Sequence, residues 1–106
     1  MKLSITESAL EKINKINQAN HTYILLRYDT KGMGCAVSGL PTFSLISERE
    51  NRHIDVENEQ FPTLITEVQA VFFAENMKLD YINGMFRLSS PEGILNPFIP
   101  TVGILE

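Results

Sequence analysis

The sequence predicts an α+β fold. Three observations carry the prediction: one amphipathic helical segment near the N-terminus, a series of short segments with strand composition, and Asn83-Gly84 between two of them. Asn-Gly flanked by apolar alternation is one of the strongest short hairpin signals, because both turn residues accept positive φ. At 106 residues the chain is expected to form one domain spanning 1–106, with an irregular C-terminal tail from about residue 90.

In chain order, Leu3 and Ile5 alternate around a polar residue as in a strand. Thr6 then offers a side-chain oxygen to the free N–H groups of a helix, and Glu7 sits near its positive end. Ala9, Leu10, Ile13 and Ile16 recur at spacings of three and four, the stripe of a short helix. The mostly polar stretch 17–21 follows as a loop. Thr22 to Asp29 is dense in β-branched, aromatic and aliphatic residues, with Arg27 its one charged interior position, and reads as a strand buried on both faces.

Thr42 to Ser47 reads as a returning strand, 47–52 as a solvated charged turn, and His53 to Glu57 as a one-sided strand by its alternation. Phe61 to Ile65 suggests another short strand, with Pro62 kept out of the centre of a ladder. Thr66 is expected to cap a short central helix through Phe72, with Val68, Val71 and Phe72 on a buried stripe. Met77 to Ile82 and Met85 to Ser89 form the predicted hairpin around Asn83-Gly84. From Ser90 the proline-rich tail predicts no regular structure, but its apolar residues from Ile94 to Leu105 predict packing against something.

Thirteen acidic against nine basic residues give a net charge of −4, the wrong sign for a phosphate-binding surface, so no nucleic-acid partner is expected. No apolar run has the length of a membrane span, and no membrane association is expected. A single cysteine excludes a disulfide framework within the chain and suits a reducing, cytoplasmic setting.

That cysteine, Cys35, is also the one focus of chemistry. It lies in Gly32-Met33-Gly34-Cys35-Ala36-Val37-Ser38-Gly39, directly after the densest strand, where small neighbours leave room for a metal, a cluster or a partner chain. Lys31 offers a charge that favours the thiolate. Free cysteines are also among the most buried residue types and then act as small hydrophobes, so the local sequence leaves both roles open. Asp29 reads either as a group facing the same loop or as a turn residue, and Met33 as a soft ligand or a packing contact. His21 and His53 lack metal-pair spacing and read as solvated. No phosphate loop, catalytic triad or acid–base pair is present in the sequence pattern, so no catalytic residue is assigned.

Taken in order, several segments resemble the HesB-like family, the A-type (IscA-like) iron-sulfur carrier and assembly proteins. Leu3 to Ala9 is similar to the family's opening strand and capped helix. Leu26-Arg27-Tyr28 leading to Gly34-Cys35 and Ser38-Gly39 resembles its first cysteine loop. Leu79-Asp80-Tyr81-Ile82 resembles its L-D-[FY]-[VI] strand, and Phe86 to Pro91 its F-x-[FI]-x-N-P segment, with Ser90 in place of the asparagine. The resemblance covers 1–97. It implies a compact mixed or barrel-like β core, a non-enzymatic role in iron-sulfur cluster biogenesis or iron binding, and self-association into a homo-oligomer. It also implies iron-sulfur assembly or recipient proteins as partners.

Only Cys35 carries over as a cofactor or metal ligand, for iron or an iron-sulfur cluster. Cluster-carrying members typically add a C-x-C pair in the tail, and the stretch 92–100 contains no cysteine. One thiolate per chain is short of the four ligands of an ordinary cluster, so the chain is expected to diverge in, or lack, standard ligation. Two other readings follow: a metal-free binding or scaffold module that uses the apolar tail, and a thiol redox protein acting through Cys35.

Overall fold

The computed structural model describes residues 1–18, 20–29, 40–99, 101 and 104. Its elements run β1 (Lys2–Ile5), α1 (Glu7–Ile16), β2 (Tyr23–Asp29), β3 (Leu40–Ile46), β4 (His53–Val56) and β5 (Thr63–Thr66). A 3₁₀ helix, η1 (Glu67–Phe72), follows, then β6 (Asn76–Ile82), β7 (Met85–Ser90) and β8 (Gly93–Ile99).

The strands make two four-stranded sheets, ordered β1-β6-β7-β8 and β3-β2-β5-β4. Within them β1 runs parallel to β6 and β2 parallel to β5, while the other neighbours are antiparallel. The fold is therefore α+β with mixed sheets, as the sequence predicts. The sheets share one core, to which the first contributes Leu3, Leu79 and Phe86 and the second Ile24, Leu26 and Phe43. Phe43 meets Phe86 edge to face, with ring centroids 5.1 Å apart, so an aromatic contact joins the layers.

The barrel-like expectation is corrected in one respect, because the sheets touch at both edges but do not close. On one side Leu3 N–H donates to the Glu57 carbonyl at 2.9 Å and Glu57 N–H to the Met1 carbonyl at 3.0 Å. On the other, the Asn96 side chain of β8 donates to the Pro41 carbonyl of β3 at 2.8 Å. These are isolated links rather than ladders.

Helix α1 begins where predicted. The Thr6 hydroxyl oxygen accepts from Ala9 N–H at 3.2 Å, and Ala9 and Ile13 are fully buried while Leu10 and Ile16 pack at the margin of the core. In the β6–β7 hairpin Asn83 and Gly84 have φ of 54° and 82°, the doubly positive turn that matches strand twist.

Three expectations change. The stretch from about residue 90 is not irregular: β8 pairs with β7 through a bulged register, and the bulges accommodate a strand containing Pro97. In β2, Ile24 and Leu26 are fully buried, whereas Leu25 and Arg27 on the opposite face are half-buried, so only one face is core. The central helix is 3₁₀, and Val68, Val71 and Phe72 are 80%, 82% and 45% exposed rather than buried. With three residues per turn Val68 and Val71 share one column, and it is the column of Ala70 and Phe73 that packs against the core. The apolar tail divides: Ile99 and Ile104 are buried, and Ile94 and Phe98 are exposed. No helix among the described residues is long and apolar enough to cross a membrane.

Candidate site at the ends of β2 and β3

Cys35, together with Lys31, Gly32, Met33, Gly34, Ser38 and Gly39, lies outside the described residues, as does the side chain of Asp29. What the structure describes is the pair of strand ends that residues 30–39 join. Asp29 of β2 pairs with Leu40 of β3, so the segment carrying Cys35 departs and returns on one rung.

Each strand end is held by a side chain in place of a ladder. On the β5 side of β2, Ile24 N–H donates to the Pro62 carbonyl at 2.9 Å. The parallel pairing then stops at Leu26 opposite Ile65, because the chain after Thr66 turns into η1. Tyr28 N–H, which points the same way as Ile24 N–H, donates instead to Gln69 Oε1 at 2.9 Å. The Tyr28 ring, on the inward face with Ile24 and Leu26, stacks on Phe72 with centroids 3.9 Å apart and planes 13° from parallel. Gln69 and Phe72 are three residues apart, and a 3₁₀ helix places such residues in one column.

On β3, Pro41 is opposite Tyr28. Proline has no N–H, so it fits a position whose backbone polar groups face away from β2. Its carbonyl accepts from Asn96, which is buried, and Asn96 Oδ1 accepts in turn from Phe98 N–H at 3.1 Å. Further along the same outer edge, Leu45 N–H donates to the Ile104 carbonyl at 2.8 Å, so the tail covers part of the β3 edge. Arg27 donates through Nε to Ser44 Oγ at 2.7 Å, which satisfies a buried serine on the outer face of the same sheet.

Sequence reasoning missed Gln69 and Asn96. Neither carries a local signal, since each contact spans dozens of residues and depends on where η1 and β8 come to rest. The histidines are separate from this region in their bonding. His21 Nδ1 is 2.7 Å from Ser47 Oγ at the surface. His53, expected to be solvated, is only 4% exposed, which corrects that reading. Its Nδ1 accepts from Glu50 N–H at 3.0 Å, closing the charged turn before β4 and assigning the ring proton to Nε2. The turn itself is surface-exposed, with Arg49 2.9 Å from Asp55 and Arg52 3.1 Å from Glu50. Among the described residues no three His, Cys, Asp or Glu side chains converge in a metal-ligating group.

The family model for iron-sulphur cluster biosynthesis matches residues 1–102. An uncharacterised protein of Bacillus subtilis, YqkB, is 35% identical over 100 residues, covering 92% of this chain and 94% of its own. A crystal structure from Lactobacillus acidophilus, described as a putative Fe-S biosynthesis protein, superposes with a TM-score of 0.78 at 20% identity, over 94% of this chain and 87% of that one. The crystal structure of IscA with a [2Fe-2S] cluster superposes with a TM-score of 0.64 at 12% identity, over 91% of this chain and 97% of that one. At these identities the two structures establish the fold.

Proposed function

Because the chain belongs to the iron-sulphur cluster biosynthesis family, and so has a general role in iron-sulfur cluster biogenesis, we propose that it carries iron or an iron-sulfur cluster as cargo. In this reading it catalyses no reaction, and Cys35 is the ligand each copy supplies. The observation that carries the reading is the extent of the family match: it spans 1–102 and therefore includes the chain's one cysteine.

The ligand count shapes the rest of the proposal. An ordinary cluster takes four protein ligands, so two copies of the chain supply half of them through Cys35, and oxygen or nitrogen groups or an external thiol complete the set. The cargo is then held by fewer protein bonds than in a four-cysteine site, which suits handover to a recipient protein. The stretch 92–100, where the resemblance places a C-x-C pair, supports this divergence: it is cysteine-free, and its Asn96 is committed to the β3 edge.

Anaerobic reconstitution with ferrous iron, sulfide and glutathione tests the reading. The wild-type chain is expected to retain iron and sulfide after desalting and to gain mass consistent with a homo-oligomer, while Cys35→Ser loses most of both. Equal, negligible iron and sulfide in the two proteins overturns it.

A further inference from the structure

The first sheet turns one face to the core and the other outward, and the charge of its outward face runs against that of the molecule. Strands β1, β6 and β7 carry three basic residues, Lys2, Lys78 and Arg87, against one acid, Asp80, whereas the whole chain has a net charge of −4. Side chains alternate across a strand, so Ser4, Lys78 and Ser89 share the outward face while Leu3, Leu79 and Leu88 enter the core. The register sets them in one row, with Ser4 opposite Lys78 and Lys78 opposite Ser89. Adjacent strands lie about 4.8 Å apart, so the lysine stands between two hydroxyls.

This row lines a groove of about 340 Å³, together with Asn76 of β6 and Ser90 and Pro91 at the end of β7. Among the described residues Lys78, which is exposed, is the one charged group that lines it. The side chains of Ser4, Asn76, Lys78 and Ser89 make no hydrogen bond or ion pair among the described residues. The carboxylates nearby are engaged elsewhere. Asp80 Oδ1 accepts from the Thr6 hydroxyl and from Tyr81 N–H, both at 2.8 Å, Glu57 is 3.8 Å from the Lys2 ammonium, and Glu75 is 3.3 Å from the Met1 amino group. Arg87, opposite Asp80 in the next row of the same face, has its Nε enclosed without a hydrogen-bond partner. The basic face therefore keeps donor capacity that the chain itself does not use.

We infer that this groove binds a small oxyanion, the phosphate or carboxylate group of a metabolite-sized molecule, with the Lys78 ammonium as its charged donor and Ser4 and Ser89 as flanking hydroxyl donors. A hydrogen bond between two ionised groups is about twice as strong as a neutral one, and the hydroxyls and the Asn76 carboxamide add neutral donors around it. The volume falls at the lower end of the about 300–1,000 Å³ of small-molecule pockets, which leaves room beyond the charged group for an organic body against Pro91. None of these residues is a cargo ligand in the reading above, so the inference stands apart from it and is tested on metal-free protein.

The test is a titration of the isotope-labelled full chain with glycerol phosphate and with glycerate, followed by amide chemical shifts at an ionic strength held constant with sodium chloride. The probes share a three-carbon body and differ in the anionic group. Saturable shifts centred on Ser4, Lys78 and Ser89 are expected, and the tighter probe identifies the group preferred. Lys78→Gln, which keeps donors but loses the charge, is expected to weaken binding about 10-fold, and Ser89→Ala about threefold. Lys15→Gln, which removes an exposed charge from α1, is expected to leave affinity unchanged. Matching urea midpoints show that the variants are folded, as the surface position of Lys78 leads one to expect. Shifts that grow linearly with both probes overturn the inference, as does equal weakening by Lys78→Gln and Lys15→Gln, which would mark a general effect of net charge. Wild-type affinity retained in both Lys78→Gln and Ser89→Ala overturns it as well.

Discussion

At the scale of single residues, Thr6 shows how a local signal acquires a distant function. Its hydroxyl oxygen caps α1, and its proton is donated to Asp80 Oδ1 at 2.8 Å, across 74 residues of sequence. Asp80 also accepts from Tyr81 N–H at 2.8 Å. The Thr6 hydrogen bond is the largest influence; desolvation opposes it, but with the backbone bond and the charges of Lys78 and Arg87 added it holds the Asp80 carboxyl below its ordinary value of 3.8. A lowered native pKa means that this group stabilises the fold above the unfolded-state value and ceases to do so as pH falls through the native one. Urea unfolding between pH 5 and about pH 2 should accordingly show a shallower loss of stability with acid in Asp80→Asn than in wild type; parallel curves would falsify the assignment. Thr6→Val removes cap and donor together and is expected to cost about 1 kcal/mol at neutral pH, read from the urea midpoint. The cap is legible in the sequence because donor and acceptor are three residues apart. The Asp80 contact is not, because it exists only once β1 lies beside β6.

At the scale of elements, the hairpin and the central helix contrast. The turn at Asn83-Gly84 follows from backbone sterics alone, and a Cβ at Gly84 meets nothing within 4 Å. Gly84→Ala therefore isolates the conformational term: with φ at 82°, it is expected to destabilise by about 1 kcal/mol by thermal or urea unfolding, without disturbing the core. A change below the error of the measurement would show that the turn relaxes to another type. The central helix illustrates the opposite case. Glu67 to Phe72 contains apolar residues that suit either a 3.6 or a 3.0 period, and its attachment to Tyr28 and to the core selects the tighter one. The same holds for β8, whose Pro97 argues locally against regular structure yet is accepted on a bulged outer strand.

At the scale of the whole molecule, the decisive features are the places where the two sheets meet. Phe43 and Phe86 join them through the core, and Asn96 joins them at an edge. Asn96→Leu preserves approximate size but leaves the buried Pro41 carbonyl and the partly buried Phe98 N–H without their partner. The expected cost is about 1–3 kcal/mol in unfolding free energy. Faster amide exchange should appear in both β8 and β3 rather than in β8 alone, since the bond ties the two edges together. Exchange confined to β8 would show that the edge link carries no coupling. The Gln69 hydrogen bond to Tyr28 fixes β2 opposite Pro41, so both strands of that pair are tied to other elements at the same end of the sheet.

The sequence by itself determined the α+β class, the capped first helix, the Asn-Gly hairpin, the resemblance to the HesB-like family and the single thiol on which the functional reading turns. Each depends on short-range backbone preferences, on hydrophobic periodicity or on residue identity, all present in the linear chain. Tertiary structure alone decided that two sheets touch without closing, that the tail supplies a strand, that His53 is buried, and that Gln69 and Asn96 bond to the backbone of β2 and β3 near their ends. Those outcomes arise from contacts between residues far apart in sequence, where a polar side chain finds its partner only after the core has brought the elements together.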